Sequence, residues 1–126
     1  MHELSIAHAL VETALASLPR SGVRRVTAVH LRLGALSGVV RDALEFCYGI
    51  ATEGTLLSNS VLRIQEVPAV VYCGRCQEER EAGPELILVC PVCGELCGGL
   101  RRGKELDLES VEIEVEDDDN PGPGNP

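Results

Sequence analysis

The chain has 126 residues, 20 of them acidic and 11 basic, and only three aromatic side chains, Phe46, Tyr48 and Tyr72. That length predicts one domain, or one with a small satellite, around a core of Leu, Val, Ile and Ala. Nine of the acids lie in residues 105–126, which hold no base, so the body is electrically balanced; with so few stacking rings it is not a nucleic-acid binder, and no run of about 18 apolar residues is present to cross a membrane.

Residues 4–18 read as an amphipathic helix. Ile6, Leu10, Ala14 and Leu18 recur every four positions, and Ala7 and Val11 widen the stripe. Ser5 is the expected N-cap, and Pro19 with Ser21-Gly22 ends the segment. Residues 24–33 alternate as a strand, with Val29, Leu31 and Leu33 on one face and Ala28, His30 and Arg32 on the other; Gly34 stops it.

Ser37 is the expected cap of a second helix over residues 38–53, striped by Val40, Ala43, Leu44, Cys47 and Ala51, with Gly54 just past its end. Residues 61–71 form a second strand in which Pro68 marks an edge position or a late break. Strand, helix, strand at these lengths predicts a right-handed crossover and parallel pairing. Residues 108–115 alternate again, Val111, Ile113 and Val115 opposing Glu112, Glu114 and Glu116, and rejoin the sheet.

The fold class is therefore α/β: a small three-stranded sheet flanked by two helices, with an inserted zinc-ribbon-like four-cysteine module. Residues 1–71 and 105–116 make the α/β domain, and residues 72–104 are the insertion. Residues 117–126, acidic and then Pro/Gly-rich, are expected to stay disordered.

The sharpest motif lies in the insertion. Cys73-Gly-Arg-Cys76 and Cys90-Pro-Val-Cys93 are two C-x2-C pairs with thirteen residues between them. Two such turns bring four thiolates to the corners of a tetrahedron, which zinc accepts. Four thiolates also leave no open position, so the site is structural and not catalytic. Iron in the same tetrahedron is the chemical rival, and a pair of disulfides is the plain alternative. The opening Met-His-Glu-Leu-Ser lacks a basic region followed by an apolar one, so the expected location is a reducing cytoplasm, which disfavours disulfides.

His2 is the second signal. A terminal amine, the deprotonated amide of His2 and its imidazole form fused chelate rings, and either the Glu3 amide nitrogen or the Glu3 carboxylate completes the set. Ni(II) and Cu(II) favour such square-planar N/O ligation. On chemistry alone the plainer reading, an ordinary residue at a frayed end, stands ahead of it. His8 and His30 read as surface residues and Cys47 as a small core residue. Cys97 reads as a spare thiol, with a substitute zinc ligand or a second nickel ligand as alternatives. No nucleotide loop, H-E-x-x-H helix or catalytic triad spacing is present.

Taken together, Met1-His2-Glu3-Leu4-Ser5, Gly34-Ala35-Leu36-Ser37-Gly38-Val39-Val40, the double C-x2-C module, and Gly103-Lys104-Glu105-Leu106 leading to Val111–Val115 resemble the HypA/HybF nickel metallochaperones over residues 1–116. The resemblance implies a non-enzymatic carrier that delivers Ni(II) to [NiFe]-hydrogenase during maturation, working with a HypB-type GTPase and the hydrogenase large subunit, and in some bacteria serving urease maturation. It implies nickel on Met1, His2 and Glu3, reversing the reading of His2, and structural zinc on Cys73, Cys76, Cys90 and Cys93. Some members carry a histidine soon after the second cysteine pair; here Gly94–Gly99 has none. The rival function is a zinc-ribbon adaptor without a nickel role, or a small iron redox protein.

Overall fold

The structure, a computed structural model, describes residues 2–82, 88–97 and 99–116, with His2 by its backbone alone. The expectations for Met1, the His2 side chain and the tail beyond residue 116 lie outside the described residues.

The elements run α1 (His2–Ala16), β1 (Val23–Gly34), α2 (Arg41–Ala51), β2 (Val61–Val67), β3 (Val70–Cys73), β4 (Glu78–Glu81), β5 (Gly99–Arg102) and β6 (Leu106–Val115). One sheet has the order β2-β1-β6. Val26 N–H donates to Leu56 O and Ala35 N–H to Val67 O, so β2 runs parallel to β1, as the strand–helix–strand spacing predicts. Gly34 N–H donates to Glu105 O and Glu116 N–H to Gly22 O, which makes β6 antiparallel to β1. Two helices and a mixed three-stranded sheet are thus as expected. No helix among the described residues is long and apolar enough to cross a membrane.

Several boundaries differ from the sequence reading, each for a local reason. Helix α1 starts at His2, so Ser5 sits inside its first turn and does not cap it. Helix α2 starts only at Arg41, after an extended Val40 that offers no side-chain cap. Ser37 instead accepts the Val39 N–H at 3.2 Å, closing a tight turn ahead of the helix. The strand expected over 61–71 is two strands: Pro68 supplies no N–H, β2 ends at Val67, and Val70 opens a second sheet.

That second sheet was not foreseen. Its order is β4-β3-β5, with antiparallel pairs such as Cys73 with Glu78 and Val71 with Leu100. The insertion is therefore more than loops gathered by metal. It has its own small core of Val71, Cys73, Cys90 and Cys97, joined by Leu88 and Leu100.

By contacts the chain forms two compact units. The first takes the chain through His30, Val40–Arg63, and from Leu108 onward; the second takes Leu31–Val39 and Ile64–Asp107. In the first, Ala7, Leu10, Val11 and Ala14 of α1 and Leu44, Tyr48 and Ala51 of α2 are buried, and the two helices pack on each other. The buried α2 stripe is thus Leu44-Tyr48-Ala51, while Val40 is exposed and Cys47 only half-buried. Tyr48 belongs inside because Ser60 Oγ, 2.6 Å away, satisfies its hydroxyl. Burial pushes the Tyr48 phenol up, so it stays protonated at neutral pH.

In the second unit three backbone segments cross. Leu36 N–H donates to Gly103 O, Gly34 N–H to Glu105 O, and Ala35 N–H to Val67 O. A Cβ on Gly34 would sit 2.2 Å from Gly103 O and 2.6 Å from Glu105 N. Only glycine fits a strand end approached this closely by another backbone.

Candidate metal centre

The two C-x2-C pairs are built alike. Strand β3 ends at Cys73, and a turn through Gly74-Arg75-Cys76-Gln77 enters β4. Within it Gln77 N–H donates to Cys73 O (2.7 Å) and Cys76 N–H to Cys73 Sγ (3.3 Å). In the second pair Gly94 N–H donates to Cys90 O (2.9 Å) and Cys93 N–H to Cys90 Sγ (3.5 Å). The residue after each second cysteine is left-handed: Gln77 at φ 57° and Gly94 at φ 80°. Glycine takes that conformation freely, whereas glutamine is strained in it. The second turn is further pinned by a Val89–Leu96 bridge and by Cys97 N–H donating to Leu88 O.

All four sulfurs of Cys73, Cys76, Cys90 and Cys93 lie within 4.8 Å of one another. Cys73 and Cys93 Sγ are 3.5 Å apart, and Cys76 and Cys90 Sγ 3.9 Å. A tetrahedron with Zn–S arms of about 2.3 Å has edges of about 3.8 Å, so the donor set fits a tetrathiolate ion. None of the six cysteines is disulfide-bonded.

The electrostatics also call for a cation. The Cys76 N–H holds the Cys73 thiol below its ordinary range. Burial pushes Cys90 upward, but N–H donors from Cys93 and Val92 outweigh it and hold it at about 6. Cys93 has the Glu95 N–H to favour its thiolate, yet burial and the three neighbouring thiols push it to about 12. Cys76 is raised too: the Cys93 thiol favours its ionised form, but burial and the Cys73 and Cys90 thiols outweigh that. Four thiols this close ionise together only around a positive ion.

Sequence reasoning missed Arg80. It lies on β4 opposite Val71, with Glu78 opposite Cys73. Its Nη1 donates to Glu78 Oε1 at 2.6 Å. Its Nε is buried with no hydrogen-bond partner among the described residues. Glu78 first, then the Cys76 and Cys90 thiols, push its pKa upward, so the charge is permanent. The signal was present as an arginine two residues from Glu78 on a strand, hence on the same face.

Cys97 lies outside the helices and strands but is not at the surface. It is 4% exposed and lies outside the four-sulfur group, packed in the small core, where burial raises its thiol. His8 is exposed, as expected. His30 is half-buried and pairs with Glu112 at 2.5 Å. At the amino terminus the described part of the expected set is Glu3, in the first turn of α1. Its Oε2 accepts the Val40 N–H at 3.0 Å, which lowers its pKa. Glu3 therefore supplies from α1 the cap that Val40 itself lacks.

The family model for "Hydrogenase/urease nickel incorporation, metallochaperone, hypA" matches residues 1–113. This chain belongs to the HypA family. It is 47% identical over 112 residues to the hydrogenase maturation factor HypA of Chloroflexus aggregans, covering 89% of this chain and 98% of that one. The corresponding protein of Roseiflexus sp. strain RS-1 is 49% identical, with 89% and 91% covered. In fold, the chain is similar to the solution structure of the Ni metallochaperone HypA from Helicobacter pylori, with a TM-score of 0.61 and 19% identity over 92% of this chain and 100% of that one. The family consists of carriers and not catalysts, and the four-cysteine group is its candidate zinc site.

Proposed function

We propose that this chain carries Ni(II) on Met1, His2 and Glu3 and delivers it to the [NiFe]-hydrogenase large subunit, with a HypB-type GTPase as partner and urease maturation proteins as a second outlet. Residues 1–71 with 105–116 present the cargo. The module 72–104 holds structural zinc on Cys73, Cys76, Cys90 and Cys93, where a bound ion supplies a cross-link and no open coordination position.

The observation that carries the reading is the family match running from residue 1. Helix α1 starting at His2 supports it. The first N–H groups of a helix have no carbonyl four residues back, so deprotonating the His2 and Glu3 amides breaks no bond of the helical ladder. Two amide anions also cancel the charge of Ni(II), which would otherwise meet the positive end of the helix dipole. Because the Glu3 carboxylate already holds Val40 N–H, its contribution to nickel is the backbone nitrogen. Protonation of the imidazole and the amides releases the cargo, so affinity falls as pH drops through about 6.5.

The test is nickel titration with metal analysis on protein carrying its untagged amino terminus. One zinc and one nickel per chain are expected, with nickel lost and zinc kept in His2→Ala and in a tagged terminus. Unchanged nickel uptake by His2→Ala overturns the assignment of the site, and zinc alone in the untagged chain returns the adaptor reading.

A further inference from the structure

We propose that the β5 edge of the second sheet is a docking site for an acidic protein segment, whose carboxylates are received by Arg101, Arg102 and Lys104. The site goes beyond the nickel reading and does not depend on it.

An irregularity in β5 builds it. In a regular strand consecutive side chains point to opposite faces. Here Val71 opposes Leu100 while the adjacent Val70 opposes Arg102, so Arg101 is an extra residue in the ladder. A bulge of this kind re-aims a side chain, and the partners show the result. Tyr72 and Glu79 oppose each other across β3 and β4 and so share a face. The Arg101 guanidinium carbon lies 4.7 Å from the centroid of the Tyr72 ring. Arg102 Nη2 donates to Glu79 Oε1 at 2.7 Å. Two consecutive arginines are thereby gathered on one face, against the repulsion of their like charges. The ring steadies Arg101 at an exposed position.

Charge and shape name the ligand. Leu100, Arg101, Arg102, Lys104 and Glu105, all in the second unit, line an open cavity of about 300 Å³. Neither Arg101 nor Lys104 has a carboxylate partner among the described residues. Glu105 is already engaged: its carboxylate accepts the Gly103 N–H at 2.8 Å, and the N–H groups of Glu105 and Gly103 lower its pKa. Outward cations without a partner select an oxyanion, and the guanidinium fork fits a carboxylate or a phosphate.

The surroundings favour carboxylates strung on a polypeptide. The cavity is lined by strand and turn residues, with no helix N-terminus to offer backbone donors to a phosphate. Glu105 in its wall repels a compact, multiply charged group. Among the described residues β5 is an edge strand, bonded only to β3. An extended segment can therefore lie along that edge while its acidic side chains reach the three bases.

The experiment uses the full-length zinc-loaded protein, with an amidated octaglutamate peptide and inorganic pyrophosphate as separate probes. Backbone amides and arginine Nε–H groups are followed by nitrogen-15 NMR at low salt. A chain of net charge −9 repels the peptide as a whole, so localised shifts report a site. The peptide is expected to shift residues 99–104 and the Arg101 Nε–H, and to bind more weakly as salt is raised. Arg101→Gln should weaken it about fivefold. Arg101→Lys, which keeps the charge but not the fork, should lose part of that. Arg20→Gln removes the same charge from an exposed position in the first unit and should match wild type.

No peptide binding at low salt, shifts centred elsewhere, unchanged affinity in Arg101→Gln, or an equal loss in Arg20→Gln overturns the proposal. Pyrophosphate binding these residues more tightly than the peptide overturns the acidic segment as occupant and assigns the cavity to phosphate. If Arg101→Gln loses its zinc or its dispersed resonances, Lys104→Gln decides: weakened peptide binding supports the site, and wild-type binding overturns it.

Discussion

On the function proposed above, the cysteine cluster and the amino-terminal turn handle metal on opposite terms. In the cluster the protein has pre-arranged the donors: two turns of one design, backbone N–H groups on Cys73 and Cys90, and a small core behind them. At the terminus the chain supplies the start of a helix, where the first N–H groups have no ladder carbonyl to bond. One region is pre-arranged to keep an ion, and the proposed function asks the other to give one up.

The strongest way to break that contrast is to open the cluster. Cys90→Ser is expected to lose essentially all bound zinc and the dispersed amide resonances of residues 70–102, while far-ultraviolet circular dichroism still reports α1 and α2. Collapse of the helical signal as well would mean the contrast is drawn too sharply.

A smaller blow falls on the frame. Gly34→Ala forces a methyl against the Gly103 carbonyl and should cost about 3 kcal/mol, read as a lower urea midpoint. Stability unchanged within error would show that the backbone crossing yields easily.

The terminus is tested by acid. Val40 N–H lowers the Glu3 pKa, and Arg25 lowers that of Glu114, from an ordinary value of 4.5. The folded chain then binds fewer protons than the unfolded one between the two values. This stabilisation is complete above about 4.5 and is lost as pH falls through the folded values. Glu3→Gln should therefore flatten the acid limb of the stability curve without changing zinc content; an identical acid limb would remove Glu3 from the role of cap.

The least effect is expected at Gln77. Gln77→Gly relieves a left-handed glutamine but adds freedom to the unfolded chain, for a net gain below about 1 kcal/mol. A slightly higher melting temperature of the zinc-loaded protein checks it.

Much of this was written in the sequence, and the gaps have physical causes. The cysteine pairs were legible because ligand spacing is a local property. The α1 stripe and the alternation of β6 were legible because burial imposes its period on the residues. The caps were misread because Ser5 and Ser37 are good cap residues by type, while the real cap of α2 comes from Glu3, a residue distant in sequence. The second sheet was hidden because β3, β4 and β5 are four residues each, too short for a period to show. The burial of Cys97 was hidden because its glycine neighbours carry no pattern, whereas it packs with Leu88 and Leu100. The Met1 and His2 assignments came from family resemblance, since a terminal histidine carries no periodicity to read.

The crossing of Gly34–Leu36 with Val67 and Gly103–Glu105 bears on the order of assembly during synthesis. The bonds of Gly34 to Glu105 and of Leu36 to Gly103 join positions more than half the chain apart, so they close only when the segment leading into the last strand has left the ribosome. The four cysteines span residues 73 to 93 and are free to gather an ion before that. An ion held by the four cysteines would thus staple the growing chain while its frame is still open.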